Sequence, residues 1–332
     1  MKAHFYKRTF QFKRPSGTSR GVLTEKHAWF IEIWNEENPE VKGLGECSII
    51  PGLSPDYEND EQYEAKLISV CNDLTQDLSN FPSIKFGVET ALLDLENGGK
   101  GIIFDNDFAK GKQQIPINGL VWMGDEQFMR EQIEQKINEG FTTIKLKIGA
   151  IDFETELRLL ASIREKYSEI TLRVDANGAF SVNEAIEKLN SLKRFEIHSI
   201  EQPIKAGQWN EMAELCTSTP LPIALDEELI GIHRLEKKIE LLNTIQPQYI
   251  IIKPSLHGGI EGCKEWISLA EERTIPWWMT SALESNVGLD AICQFTAEYQ
   301  NNLPQGLGTG SLYLENTPTN LKVENGMIFR SV

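Results

Sequence analysis

The sequence predicts a (β/α)8-type barrel preceded by a smaller α+β module, and three observations carry that expectation. From about residue 116 onward, short apolar strands alternate with amphipathic helices, the βα signature of a parallel sheet. Polar residues recur at the apparent strand ends, Lys147, Asp175, Glu201, Asp226, Lys253, Ser281 and Gly308, in steps of 25 to 28 residues. Before about residue 115 the pattern is mixed, strand-like first and helical after, as expected of a separate module. The steps share no internal identity, so each marks the length of one strand, loop and helix rather than a solenoid repeat. An open doubly wound sheet is the competing architecture. Seven evenly spaced strand ends plus a strand near Ile115-Pro116-Ile117-Asn118, taken as the first, favour the closed barrel.

Within the first 115 residues, Phe10 and Phe12, then Trp29, Ile31 and Ile33, alternate as strand residues do. Leu67, Val70, Cys71 and Leu74, and then Val88, Ala91, Leu92 and Leu95, fall at helical spacing. Two segments rich in turn formers lie between, residues 15–21 and 48–56. Further on, apolar stripes mark helices at Phe153-Leu157-Leu160, at Ala185-Ile186-Leu189 behind a Ser181-x-x-Glu184 capping box, and at Trp209-Met212-Ala213-Cys216. Two more follow at Leu235-Ile239-Leu242 and Ile260-Cys263-Ile267-Ala270. The division expected is 1–115 for the α+β module, 116–310 for the barrel and 311–332 for a C-terminal segment.

Composition narrows the function. Among 332 residues, 33 Lys and Arg face 49 Asp and Glu, a net charge of −16. Nucleic acid and anionic membrane surfaces both want clustered positive charge, which is absent here. No apolar run approaches the length of a spanning helix, and the opening residues do not lead into a signal-peptide core, so a cytoplasmic protein is expected. Five scattered cysteines without a C-x-x-C pair read as small core residues.

The chemistry gathers at the strand ends, where barrels of this kind place their active sites. In Thr143-Ile144-Lys145-Leu146-Lys147 the alternation puts both lysines on the face opposite the apolar residues, hence into the barrel. The same rule sends Arg173 and Asp175, then Glu201, then Asp226 inward. Three carboxylates at one end of three successive strands repel one another in a closed lumen, so a cation between them is expected. Oxygen ligands without His or Cys select a hard ion, Mg²⁺ over Zn²⁺. His198 and His257 read as structural. Lys253 reaches the same rim and should face Lys147 across the lumen. Three carboxylates against a doubly charged ion and up to three ammonium groups leave a positive surplus, so the substrate should be an anion, a dicarboxylate by preference. A lysine base must spend time neutral, and Lys145 together with the divalent ion is expected to push its pKa down. Gly306-Leu307-Gly308-Thr309-Gly310 is not followed by a helix and so is no dinucleotide fingerprint; a rim passing close to a ligand and a plain turn fit it equally.

Taken together, Lys145-x-Lys147, Asp175-x-Asn177, Glu201-Gln202-Pro203, Asp226-Glu227 and Lys253-Pro254 resemble the enolase superfamily, in particular its muconate-lactonising subgroup. The resemblance covers essentially the whole chain. It implies a modified barrel, (β/α)7β, with an N-terminal α+β capping domain and a C-terminal segment returning to the cap. Thr18-Ser19-Arg20-Gly21, Pro51-Gly52-Leu53-Ser54 and the stretch from Ser281 to Gly288 resemble the dehydratases of that subgroup. What this implies is a Mg²⁺-assisted syn dehydration of 2-succinyl-6-hydroxy-2,4-cyclohexadiene-1-carboxylate to an aromatic dicarboxylate in menaquinone biosynthesis, with Mn²⁺ a substitute for Mg²⁺. By the same resemblance Lys147 is the base and then the acid, Lys253 works from the opposite face and Lys145 assists. Asp175, Glu201 and Asp226 hold the metal. Ser19, Arg20, Arg173, Asn177, Ser281 and Gly308 contact the substrate.

Two rival readings stand beside it. A dipeptide epimerase or N-succinylamino acid racemase would use the same two lysines to exchange an α-proton, and a barrel that binds a dicarboxylate without turnover would keep the pocket alone. The sequence leaves the oligomeric state open, a homo-oligomer included.

Overall fold

The computed structural model describes residues 1–18, 21–149 and 151–331. Its N-terminal part is an antiparallel sheet of β1 (Lys2–Thr18), β2 (Gly21–Asn35) and β3 (Asn38–Ser48), followed by helices α1 (Asp60–Asn72) and α2 (Pro82–Glu96). The central strand β2 is buried on both faces. Trp29, Ile31 and Ile33 pack with Tyr63, Leu67, Val70 and Val88 under the two helices, while Ala28 and Phe30 face the opposite way with Phe10, Phe12, Trp122, Leu283 and Tyr313. Alternation therefore gives this sheet two apolar faces, one for its own helices and one for the barrel. Strand β3 escaped the sequence reading because its helix-facing positions are Gly43 and Gly45. A Cβ on Gly45 would lie 1.8 Å from the carbonyl oxygen of Gly87 in α2, so only glycine admits that approach.

The barrel follows: β4 (Ile115–Pro116), β5 (Gly119–Val121), α3 (Glu126–Asn138), β6 (Thr143–Lys147), α4 (Phe153–Lys166), β7 (Thr171–Asp175), α5 (Val182–Lys193), β8 (Ser199–Glu201), α6 (Trp209–Ser218), β9 (Ile223–Leu225), α7 (Leu235–Ile245), β10 (Tyr249–Ile252), α8 (Gly259–Glu272), β11 (Trp277–Met279) and α9 (Asn286–Thr296). Seven parallel strands run in the order β5 to β11. Their outward residues, Ile144, Leu146, Leu172, Val174, Ile200, Ile250 and Ile252 among them, meet the helices in one core. That is the modified barrel with a capping domain that the sequence predicts.

Three details differ from expectation. The first barrel strand is Gly119–Val121, not the segment at 115: β4 pairs instead with β13 (Met327–Arg330), which forms a hairpin with β12 (Leu321–Glu324). The strand expected to end at Gly308 is reduced to single bridges, Ile117 to Gln305 and Thr280 to Gly306, which still close the ring. Pro304 brings no donor of its own, which leaves the backbone N–H groups of Gln305 and Gly306 to bond Pro116 and Met279, and Gly306 lies too near Thr280 Oγ1 for any side chain, 2.5 Å from an ideal Cβ. At the expected capping box Ser181 does sit at the start of α5, but its hydroxyl donates to Glu184 Oε2 at 2.5 Å rather than capping backbone. The segment after the barrel returns to the first sheet: Phe12 bridges Tyr313, and Lys13 N donates to the Leu312 carbonyl. Among the described residues no helix is long and apolar enough to cross a membrane.

Candidate active site

The in-phase strand ends deliver their side chains to one cavity. It is lined on its polar side by Lys145, Lys147, Asp175, Asn177, Lys253, Thr280, Ser281 and Thr309, with Asn118 and Gly308 at the rim. Opposite stands an apolar wall, Val22, Leu23, Ile50 and Leu53 from the N-terminal sheet and its loops, and Leu120, Trp122 and Leu283 from the barrel. The N-terminal module thus roofs the strand ends. Lys147, the last residue of β6, and Lys253, the residue after β10, are both in the lining, as expected for the second and sixth strands of eight.

Register explains the cluster. Lys147 pairs with Asp175, and Asp175 with Glu201, across three adjacent strands. Asp226 follows the end of β9 directly. One carboxylate oxygen from each of Asp175, Glu201 and Asp226 lies within 4.8 Å of the others, and all three residues are buried. Lys145 Nζ donates to Glu201 and lies 3.0 Å from Asp175 Oδ2. Lys147 Nζ reaches Asp175 Oδ2 at 3.0 Å and Asn177 Oδ1 at 2.8 Å, while Lys253 Nζ reaches Asp226 Oδ2 at 2.5 Å.

The electrostatics follow from burial in competition with charge. Burial disfavours the ammonium of Lys145, yet Asp175, Glu201 and Asp226 outweigh it and hold the amine above its ordinary range. Lys253 is likewise raised, burial again being overcome by Asp226 and Glu227. Lowering of these two amines is therefore not what the carboxylates alone produce; it would take positive charge added at the triad. Burial also raises Asp175, but three lysines draw it below the usual carboxylate range. Glu201 is pushed up to about 7 by burial and by the two neighbouring carboxylates, against the pull of Lys145.

The triad fits a hard dication on its own geometry. Glu201 Oε1 and Asp226 Oδ1 are buried oxygens without a hydrogen-bond partner, and the donor set is all oxygen. These are the features of carboxylates that could hold a metal.

Other expected residues divide. Asn177 is in the lining, its backbone in the left-handed region at φ +46, and its amide donates to Glu227 Oε1 at 2.9 Å while its oxygen receives Lys147. Asparagine tolerates that conformation better than most residues. Ser281 lines the cavity, but its hydroxyl donates to Glu284 Oε2 at 2.6 Å and accepts from Thr309 Oγ1 at 2.8 Å. Gly308 lies at the rim with no protein atom within 3.4 Å of a would-be Cβ. Arg173 does not fit the reading of it as a substrate contact. It points inward as alternation requires, but one layer below the rim, its guanidinium 4.0 Å above the Trp278 ring and its Nη1 donating to the Pro304 carbonyl at 2.7 Å. With Ala224, Ile251 and Trp278 it fills the barrel floor. His198 lies against Tyr249 beside the same floor, the two ring centroids 5.0 Å apart and tilted. Ser19 and Arg20 lie outside the described residues.

Sequence reasoning missed the polar joint behind Ser281. Glu284 accepts from Ser255 and Ser281, Glu46 of β3 accepts from the backbone N–H of Ser285 and Gly288, and buried Lys26 of β2 donates to the Ala282 carbonyl at 2.7 Å. The residues lie up to 256 positions apart, and no local pattern connects them.

A model of the enolase C-terminal domain-like family matches residues 128–330. The o-succinylbenzoate synthase of Desulfotalea psychrophila is 48% identical, over 96% of this chain and 95% of that protein. The N-succinylamino acid racemase of Thermus thermophilus is 35% identical, over 82% and 75%. Among solved structures, MenC from Desulfotalea psychrophila superimposes with a TM-score of 0.88 at 44% identity, covering 99% of both chains.

Proposed function

This chain belongs to the enolase superfamily, and on that premise we propose that its site carries out the o-succinylbenzoate synthase reaction, the loss of water from 2-succinyl-6-hydroxy-2,4-cyclohexadiene-1-carboxylate. It is an enzyme of the lyase type, and its relative from Desulfotalea psychrophila is named an o-succinylbenzoate synthase. The observation that carries the reading is the pair of buried lysines on opposite strands of one cavity, each anchored to a member of the same acidic triad.

The chemistry is assigned as follows. The free-base form of Lys147, oriented by Asp175 Oδ2 and Asn177 Oδ1, takes the proton from the ring carbon that bears the carboxylate. The C–H pair becomes part of the new ring double bond, the neighbouring C–O bond breaks, and the same Lys147, now an ammonium, gives its proton to the departing hydroxyl. One group acting twice from one side makes the elimination syn. Lys253, held by Asp226 on the opposite face, and Lys145 supply positive charge beside the carboxylate as the proton leaves. Mg²⁺, or Mn²⁺ in its place, bound by Asp175, Glu201 and Asp226 would supply Lewis-acid charge to the substrate carboxylate. The apolar wall of Leu23, Ile50, Leu120, Trp122 and Leu283 suits the ring and excludes water. Asn177, Gly308 and the residues Ser19 and Arg20 are proposed substrate contacts, and Ser281 contributes through the Thr309 and Glu284 joint. The functional division proposed remains 1–115, 116–310 and 311–332.

The test is a spectrophotometric dehydration assay with and without Mg²⁺. Appearance of the aromatic product only with the divalent ion supports the reading. The racemase reading is favoured by the likeness to the Thermus protein; it requires deuterium to wash into a recovered N-succinylamino acid in deuterium oxide. Absence of aromatic product with that exchange present would replace the dehydratase assignment.

A further inference from the structure

We propose that His257, which is outside the cavity lining, is a positioning residue for Lys253, acting as a neutral imidazole whose Nδ1 accepts the backbone N–H of that lysine. The inference rests on the reading of Lys253 as one of the two amines flanking the reacting carbon.

Strand β10 ends at Ile252, one residue before the lysine, and its pairing with β9 stops at Ile250 and Leu225. Past Leu225 the neighbouring chain turns away at Asp226, φ −124 and ψ −82, into a single 3-10 turn. The sheet has run out where Lys253 needs an acceptor, and a buried N–H left alone is costly. The chain supplies one from four residues ahead. The Lys253 carbonyl accepts the N–H groups of Leu256 and His257, each at 2.9 Å, which curls the segment back on itself. The ring of His257 then meets the Lys253 N–H at 3.0 Å through Nδ1. Both backbone polar groups of the lysine are thereby fixed by the turn that follows it. Pro254 brings no donor of its own, and Gly258 and Gly259, at φ +96 and +72, release the chain into α8.

A nitrogen that accepts cannot carry the proton, so the ring proton sits on Nε2, a buried atom with no protein hydrogen-bond partner, and the cost of an unpaired N–H falls on the ring rather than on the Lys253 backbone. The residue is 1% exposed, and burial holds its pKa down to about 3, in keeping with a ring that stays neutral. The consequence is local. Lys253 starts from a backbone held at both ends, and its Nζ is aimed at Asp226 Oδ2 inside the cavity. Without the acceptor the peptide can rotate, and a displacement of about 1 Å in a reacting group costs up to about a hundredfold in rate.

Three full-length variants separate positioning from packing. Asparagine carries its amide oxygen the same number of bonds from the backbone as Nδ1, glutamine carries it where Nε2 lies, and leucine has no acceptor. His257→Leu and His257→Gln are expected to lower kcat roughly ten- to hundredfold with KM within about twofold, and His257→Asn to recover most of the loss. A second readout needs no turnover: long-range ¹H–¹⁵N spectra of histidine-labelled protein should show a neutral Nε2–H tautomer that persists to pH 5. Asparagine no better than leucine, leucine as active as the parent, or a proton on Nδ1 would each overturn the proposal. Full activity in Lys253→Ala would overturn the reading beneath it, and is recognised by leaving the His257 tautomer unchanged.

Discussion

At the scale of the residue, the site is a contest between three carboxylates and three amines in one buried lumen. Every described partner of Lys147 Nζ is an oxygen of Asp175 or Asn177, which orients the amine without pairing it to a carboxylate of its own. Lys147→Ala is accordingly expected to lower kcat by roughly 10² to 10⁴, the range for a single acid–base group, while far-ultraviolet circular dichroism stays unchanged. Residual turnover close to the parent would remove the lysine from the proton path. These positions were legible in the sequence because parallel strands end at one rim, so residues at equal steps become neighbours. Lys26, Glu46 and Glu284 were not. Each lies in a separate segment, and their meaning arises only when the N-terminal sheet packs on the barrel loops. Arg173 shows the limit of alternation as a rule: it gives the face of a strand but not the depth in the lumen, and two residues of depth separate a cavity wall from a floor.

Elements read well where a period is expressed in large apolar side chains and badly where contact is made by glycine. The five barrel helices named from their stripes are all present, whereas β3, whose contact face is Gly43 and Gly45, carries no such signal. The same closeness makes a sharp test. Gly45→Ala would drive a methyl group to 1.8 Å from the Gly87 carbonyl oxygen and 2.7 Å from its carbon, backbone atoms of a packed helix that cannot yield cheaply. A loss of about 3 kcal/mol or more is expected in denaturant unfolding, at the upper end for overpacked sites. A second test concerns α2 against α8. Glu89 of α2 caps the start of α8, accepting the Ile260 N–H at 2.5 Å, and burial pushes its carboxyl from 4.5 up to about 7 despite Lys85 nearby. The folded chain then keeps a proton that the unfolded chain releases. Stability is fully present below about pH 4.5 and falls as pH rises toward 7, by at most about 3 kcal/mol, then levels. Glu89→Gln should flatten that slope without lowering stability at pH 8; an unchanged slope in thermal melts across pH 4.5 to 7.5 would assign it to another group.

For the molecule as a whole, the charge of the lumen links ligand binding to stability. The chain carries −16 overall, yet its cavity sets three lysines against the acidic triad, with two oxygens of that triad lacking any hydrogen-bond partner. A dication placed among Asp175, Glu201 and Asp226 offsets the burial and the mutual repulsion that together hold Glu201 up near 7, so it should bind the folded chain and not the unfolded one. Mg²⁺ at a hundredfold excess over its Kd is then expected to stabilise the protein by about 2.7 kcal/mol, seen as a rise in Tm that a chelator reverses. Variants sort by sign. Glu201→Gln and Asp226→Asn remove ligand charge and should abolish the rise. Lys147→Ala removes a cation whose Nζ stands 3.0 Å from Asp175 Oδ2, so the ion should bind more tightly to that variant even though turnover is lost. Titration calorimetry of the four proteins with Mg²⁺ measures this order directly. Weaker binding to Lys147→Ala than to the parent would mean that the lysine supports the ion site rather than opposing it, and the division of labour between amines and carboxylates would have to be redrawn.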